Sequence, residues 1–152
     1  MPLYKSLVRP HSEYCVPIWS PYYQKLIEGV ERHATKMTAN LRNLHYTERV
    51  KKLNSMTLEK RRHRSDLLKT FKIINGRYNF QSDLFFTYDK DQKRGHSKKL
   101  YKKRSRLDLR KYAFSNSVID SWNALSDVCV NSTTVNQFKK CFKRQMQPET
   151  HS

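Results

Sequence analysis

The sequence predicts a mainly α-helical chain: a helical bundle over residues 1–76, an aromatic loop and basic extended tract over 77–111, and a small C-terminal helical pair over 112–152. Three observations carry this. Apolar residues recur at three- and four-residue spacing in several windows, which is the period of one helix face. The chain has 3 Gly and 5 Pro in 152 residues, too few for the turns of an all-β sandwich or barrel. Charge is concentrated, with eleven Lys and Arg against two Asp between Lys90 and Lys111, a composition expected to stay extended and solvent-facing until it meets a polyanion.

Taken in order, Leu3, Leu7 and Val8 share a stripe on a short helix from Tyr4 that Pro10 kinks or ends. Pro17 and Pro21 push their neighbours out of the helical region, so the chain around Trp19 reads as an extended linker. From Tyr22 to Thr38, Leu26, Ile27, Val30, Ala34 and Met37 predict an amphipathic helix. Thr47 is the expected cap of a brief helix through Val50 and Leu53, with Glu48 near its positive end. Thr57 opens a long helix with Leu67, Leu68, Phe71 and Ile74 on one face, stopped by Asn75-Gly76. Phe80, Leu84, Phe85 and Phe86 follow no clean period and predict a loop with at most a helical turn, pinned by aromatics. Phe114, Val118, Ile119, Trp122 and Leu125 predict a helix from Tyr112 to Leu125, in which Trp122 is a core residue. Thr133 or Thr134 then opens a last helix carrying Val135, Phe138, Phe142 and Met146.

Charge bounds the function classes. The 31 Lys and Arg against 13 Asp and Glu give a net +18, which calls for a polyanionic partner, and nucleic acid, RNA or DNA, leads. With 37% hydrophobic residues and a mean hydropathy of −0.89, the core is expected to be lean. No run approaches the roughly 18 apolar residues of a membrane span, and the N-terminus lacks the pattern of a signal peptide. A nuclear or cytoplasmic protein, not secreted and without a membrane partner, is expected. Cys15, Cys129 and Cys141 form no CxxC pair and have no His at metal-ligand spacing, which argues against both a disulfide framework and a zinc site and for a reducing compartment.

No enzymatic constellation emerges. Two-metal phosphoryl chemistry needs convergent carboxylates, and the one close pair, Asp89 and Asp91, is flanked by lysines and reads as a solvated loop. His11, His33, His45, His63, His96 and His151 are scattered, and neither a nucleophile elbow nor a phosphate-cradling glycine loop occurs. No catalytic residue, metal ligand or cofactor is assigned. The cations are more informative. Lys60, Arg61, Arg62 and Arg64 lie on a predicted helix, and Arg94, Lys98, Lys99, Lys102, Lys103, Arg104 and Arg106 surround one ring, Tyr101. Such cations neutralise phosphates and release counterions, while a ring can stack on an unpaired base. The plain alternatives are a solvated surface or a nuclear import signal, and phosphate contacts carry no sequence information.

The residues also resemble a known family. Leu3-Tyr4-Lys5-Ser6-Leu7-Val8-Arg9-Pro10-His11-Ser12-Glu13-Tyr14-Cys15 followed by Trp19-Ser20-Pro21-Tyr22 is similar to the stretch after the palm in reverse transcriptases of LINE-type, non-LTR retrotransposons of the jockey-like clades. Blocks at Arg32–Met37, Leu41–Arg49, Leu58–Arg62, Phe71–Gly76, Arg94–Ser97, Arg104–Arg110 and Phe114–Leu125 resemble the same region in the same order. Leu125-Ser126 stands where the family has Leu-Pro. The resemblance implies a helical thumb-like region over 1–76 and a post-thumb region holding template RNA and nascent DNA beside a palm. The family's aromatic-Ala-Asp-Asp turn is absent, since the chain has no Asp-Asp pair. The resemblance therefore implies a fragment of an RNA-directed DNA polymerase that is not itself an enzyme, its parent using Mg2+ in the missing palm. An orphan thumb exposes the face that meets a palm, so partly molten behaviour is expected of the chain alone. Two other classes compete: a self-standing basic module of ribosomal or chromatin type, and a nuclease assembled from scattered His and Asp.

Overall fold

A computed structural model of the chain describes residues 24–90, 95–104 and 113–146, with Ser6, Pro10 and Arg106. The expected helix from Tyr4, the linker at Trp19, and Cys15, Asp91 and Arg94 lie outside the described residues. As predicted, the fold is mainly helical, and the chain divides into two compact units, Met1–Arg64 and Ser65–Ser152.

In the first unit, helix α1 spans Gln24–Lys36, a 3-10 turn covers Ala39–Leu41, and α2 spans Tyr46–Lys52. The face that α1 turns inward differs from the predicted stripe: Val30 and Met37 are 46% and 77% exposed, while Glu31 and Thr35 are buried. The reason is polar pairing. Glu31 accepts from Arg61 Nη1 at 2.8 Å and from the Tyr46 hydroxyl at 3.0 Å, and the Thr35 hydroxyl donates to the Arg32 carbonyl at 2.9 Å. A buried carboxylate is tolerated where its lone pairs are filled in this way.

Helix α2 begins one residue before the predicted cap. His45 holds the cap position, with its N–H donating to Glu48 Oε2 at 3.3 Å, and Thr47 lies inside the helix with its hydroxyl 3.0 Å from His45 Nδ1. The helix ends through Asn54 at φ 46°, where Ser55 N–H reaches the Val50 carbonyl and Asn54 N–H the Lys51 carbonyl. That paired closure needs a left-handed residue, and Asn is the non-glycine type that tolerates it best.

Helix α3 spans Leu58–Ile74. Thr57 caps it as predicted, its hydroxyl accepting from Lys60 N–H at 3.4 Å. Gly76, at φ 61°, terminates it with the same closure, Arg77 N–H to the Lys72 carbonyl and Gly76 N–H to the Ile73 carbonyl.

The core of the second unit is aromatic. Leu67 and Phe71, which the sequence grouped with the N-terminal region, are fully buried in it. Phe71 stacks on Phe138 at 4.4 Å, Phe138 on Trp122 at 6.1 Å, and Phe142 on Phe138 at 6.3 Å. The predicted helix ending at Leu125 is split into α4, Phe114–Ser117, and α5, Ile119–Asn123, with Val118 between them. Ser115, Asn116 and Ser117 compete with helical hydrogen bonding, yet Val118, Ile119, Trp122 and Leu125 are all buried as their spacing predicts. Helix α6, Asp127–Val130, is an addition to the predicted elements. Helix α7, Val135–Met146, opens at Thr134, whose hydroxyl accepts from Gln137 N–H at 3.2 Å while Gln137 Oε1 accepts from Thr134 N–H at 3.3 Å. This reciprocal pair is a capping box.

Cys129 on α6 and Cys141 on α7 form a disulfide with Cα atoms 5.4 Å apart, which corrects the expectation of unpaired thiols. Their separation of 12 residues carries no motif. The short turn between α6 and α7 folds the two helices together and brings the sulfurs to bonding distance.

Candidate nucleic-acid interface

Residues 95–104 of the basic tract are not the free extended segment that its composition predicts. Leu100 pairs with Tyr88 in an antiparallel bridge, flanked by Asp89 N–H to the Lys99 carbonyl at 2.9 Å and Tyr101 N–H to the Thr87 carbonyl at 2.7 Å. In this kind of pair, Leu100's own N–H and C=O face away from Tyr88. Asn123 takes both, its Oδ1 accepting from Leu100 N–H at 2.9 Å and its Nδ2 donating to the Leu100 carbonyl at 2.9 Å. Trp122 Nε1–H donates to the Lys98 carbonyl at 2.9 Å, and His96 Nε2 lies 3.0 Å from the Trp122 carbonyl. His96 and Leu100 are buried. Two buried side chains and four side-chain contacts to backbone hold residues 96–100 in place against the repulsion among neighbouring cations.

Glycine is required at the start of this strap. Gly95 sits at φ 98°, a conformation that L side chains rarely adopt, so any Cβ there is strained even though the Lys99 side-chain end beside it could move aside. His96 follows with its imidazole held below the usual histidine range. Burial is the main cause, nearby Lys99 adds to it, and the Trp122 carbonyl and Asp127 oppose it.

The strap sorts its cations. Lys98 Nζ donates to Asn75 Oδ1 at 3.0 Å, and Lys98 and Lys99 are half-buried. Lys102 pairs with Asp120. Tyr101 is 53% exposed, and Lys103, Arg104 and Arg106 are exposed with no ion pair among the described residues. Tyr101, Lys103 and Arg104 line one groove of about 350 Å³ with Phe85, Ser115 and Asn116.

The cluster on α3 is placed differently. Lys60 is exposed and Arg64 half-buried, but Arg61 and Arg62 are buried. Arg61 Nη1 serves Glu31 and the Met56 carbonyl, the latter at 2.6 Å. Helical spacing turns neighbouring cations to different faces, so a run of four cannot all meet one phosphate backbone. Arg49, buried at 3% exposure with its guanidinium 6.0 Å from the Tyr46 ring, had no signal in the sequence.

Among the described residues no group of three His, Cys, Asp or Glu is placed to hold a metal ion, and no helix is long and apolar enough to cross a membrane. No family model, curated protein or solved structure matches the chain.

Proposed function

We propose that this chain is a nucleic-acid-binding C-terminal segment of a reverse transcriptase of the LINE type, which grips template and product while the chemistry resides in a palm outside it. The observation that carries the binding part of this reading is the strap. Its backbone is fixed to Trp122 and Asn123, and it presents Tyr101, Lys103, Arg104 and Arg106 outward. A fixed row of cations meets phosphates with less ordering cost than a free tail. The ordered blocks of family-like sequence supply the rest of the reading. Expected partners are RNA and DNA as template and primer, and the palm of the parent polymerase.

The test is a set of charge-neutralising variants. Lys103→Gln, Arg104→Gln and Arg106→Gln should each weaken binding across sequences and lower the salt slope by about 1. Slopes unchanged in all three would remove the strap from the interface.

A second reading, a self-standing basic module, draws on the aromatic core of the second unit, which is closed around Trp122 and Phe138. Cooperative thermal unfolding of the isolated chain favours it, and a broad, non-cooperative melt favours the orphan segment.

A further inference from the structure

We infer that the groove beside the strap seats an unpaired nucleobase, so that the chain's nucleic-acid ligand is single-stranded. This rests on the nucleic-acid reading above and adds the strand form to it. Phe85 and Tyr101 both line the groove, and with them Lys103 and Arg104. Rings for a base face and cations for the adjoining phosphates therefore meet in one place, the combination by which single strands are held. Ser115 and Asn116 are polar residues lining the same groove. A volume of about 350 Å³ lies at the small end of ligand pockets and suits one base with its sugar.

The groove also has an approach. Phe85 contacts Phe80 with ring centroids 5.2 Å apart, and Phe80 stacks on Tyr78 at 5.2 Å with an interplanar angle of 6°. Tyr78, Phe80 and Phe85 are 38%, 40% and 43% exposed. Three contacting rings left at the surface, beside a core built from Phe71, Phe86, Trp122, Phe138 and Phe142, are a patch that calls for a ligand. A duplex hides its base faces and offers only phosphates and groove edges. A single strand offers faces to the rings and phosphates to the cations together, and charge alone does not distinguish the two.

The experiment compares the full chain's affinity for a labelled single strand of about a dozen nucleotides and for its blunt duplex, at one salt concentration. One stacked base is worth about tenfold, so the single strand should bind about tenfold tighter. Tyr101→Leu and Phe85→Leu, which keep apolar bulk and remove the ring, should each erase most of that preference, read as the ratio of single-strand to duplex affinity. A 2-aminopurine placed within the strand should lose fluorescence on binding to the unaltered protein, a readout that needs no variant to fold. Equal affinity for strand and duplex, or an unquenched probe, would overturn the pocket and leave the nucleic-acid reading standing. Binding to neither would overturn both.

Discussion

The carboxamide of Asn123 completes the backbone hydrogen bonding of Leu100, with donor and acceptor distances both 2.9 Å. A side chain thus takes the place of a neighbouring strand. The consequence is mechanical, because the exposed Tyr101, Lys103 and Arg104 come directly after Leu100, and their position is set by a residue on α5.

Asn123→Ala should leave a buried N–H and C=O without partners and cost about 2–6 kcal/mol, at about 1–3 kcal/mol for each orphaned group. Asn123→Asp keeps the acceptor, loses the donor and sets a carboxylate against the Leu100 carbonyl, so it should be no milder. Chemical denaturation gives the cost. Faster amide exchange at Leu100 in either variant locates it in the strap, and unchanged exchange there would show that Asn123 does not hold it.

The Glu31–Arg61 pair is buried on both sides, at 4% and 9% residue exposure. Removing one partner of such a pair costs about 3–5 kcal/mol, whereas replacing both by apolar residues is often neutral. Arg61→Met should therefore destabilise strongly, and adding Glu31→Leu should recover most of the loss. Arg49→Met should be close to neutral, since Arg49 Nε and Nη1 have no hydrogen-bond partner. Urea midpoints of the parent, Arg61→Met, Glu31→Leu, the double variant and Arg49→Met check this, and additivity of Arg61→Met and Glu31→Leu in the double variant would show the ion pair to be energetically idle.

His96 makes stability depend on pH. Its pKa is lowered in the fold, chiefly by burial, so below the ordinary histidine value the unfolded chain binds the proton more readily. The contribution is present above about pH 6.5 and is lost as pH falls through the folded value. The facing charges, Lys99 and Asp127, act in opposite senses. His63 is lowered as well, by burial against the opposing effect of Glu59, so the comparison must isolate one site. His96→Gln should flatten part of the acid loss as pH falls below about 6.5 relative to the parent, measured as urea midpoint. An unchanged profile would place the pH dependence elsewhere.

Much of the helical framework could be read from the sequence because it depends on spacing and on caps that act within a turn. Thr57, Thr134 and Gly76 act where their residue types predict, and Phe71, Trp122 and Phe138 are buried as their periods require. What could not be read depends on partners distant in the chain. Glu31 finds Arg61 thirty residues away, which turns Glu31 inward while Val30 of the expected stripe stays exposed, and removes Arg61 from the predicted interface. Leu100 finds Asn123, which turns a tract that looked like a tail into a strap. The signal available for that strap was small: buried-type residues His96 and Leu100 standing among lysines.

The Cys129–Cys141 disulfide closes a loop of 12 residues, worth about 2–3 kcal/mol by chain entropy. Reductant should lower the thermal midpoint accordingly. Alkylation of the unfolded, unreduced chain should modify Cys15 alone, and after reduction all three cysteines. Three modified cysteines without reductant would show that the bond does not form under the conditions of preparation.

The central claim is that a fixed, outward row of cations binds a polynucleotide, and a fluorescence-anisotropy titration of the full chain with a labelled single strand across salt tests it most directly. If six or more phosphates are engaged, affinity should fall by about 10³ or more between 50 and 200 mM salt. A flat response, or no binding in dilute buffer, would contradict the account.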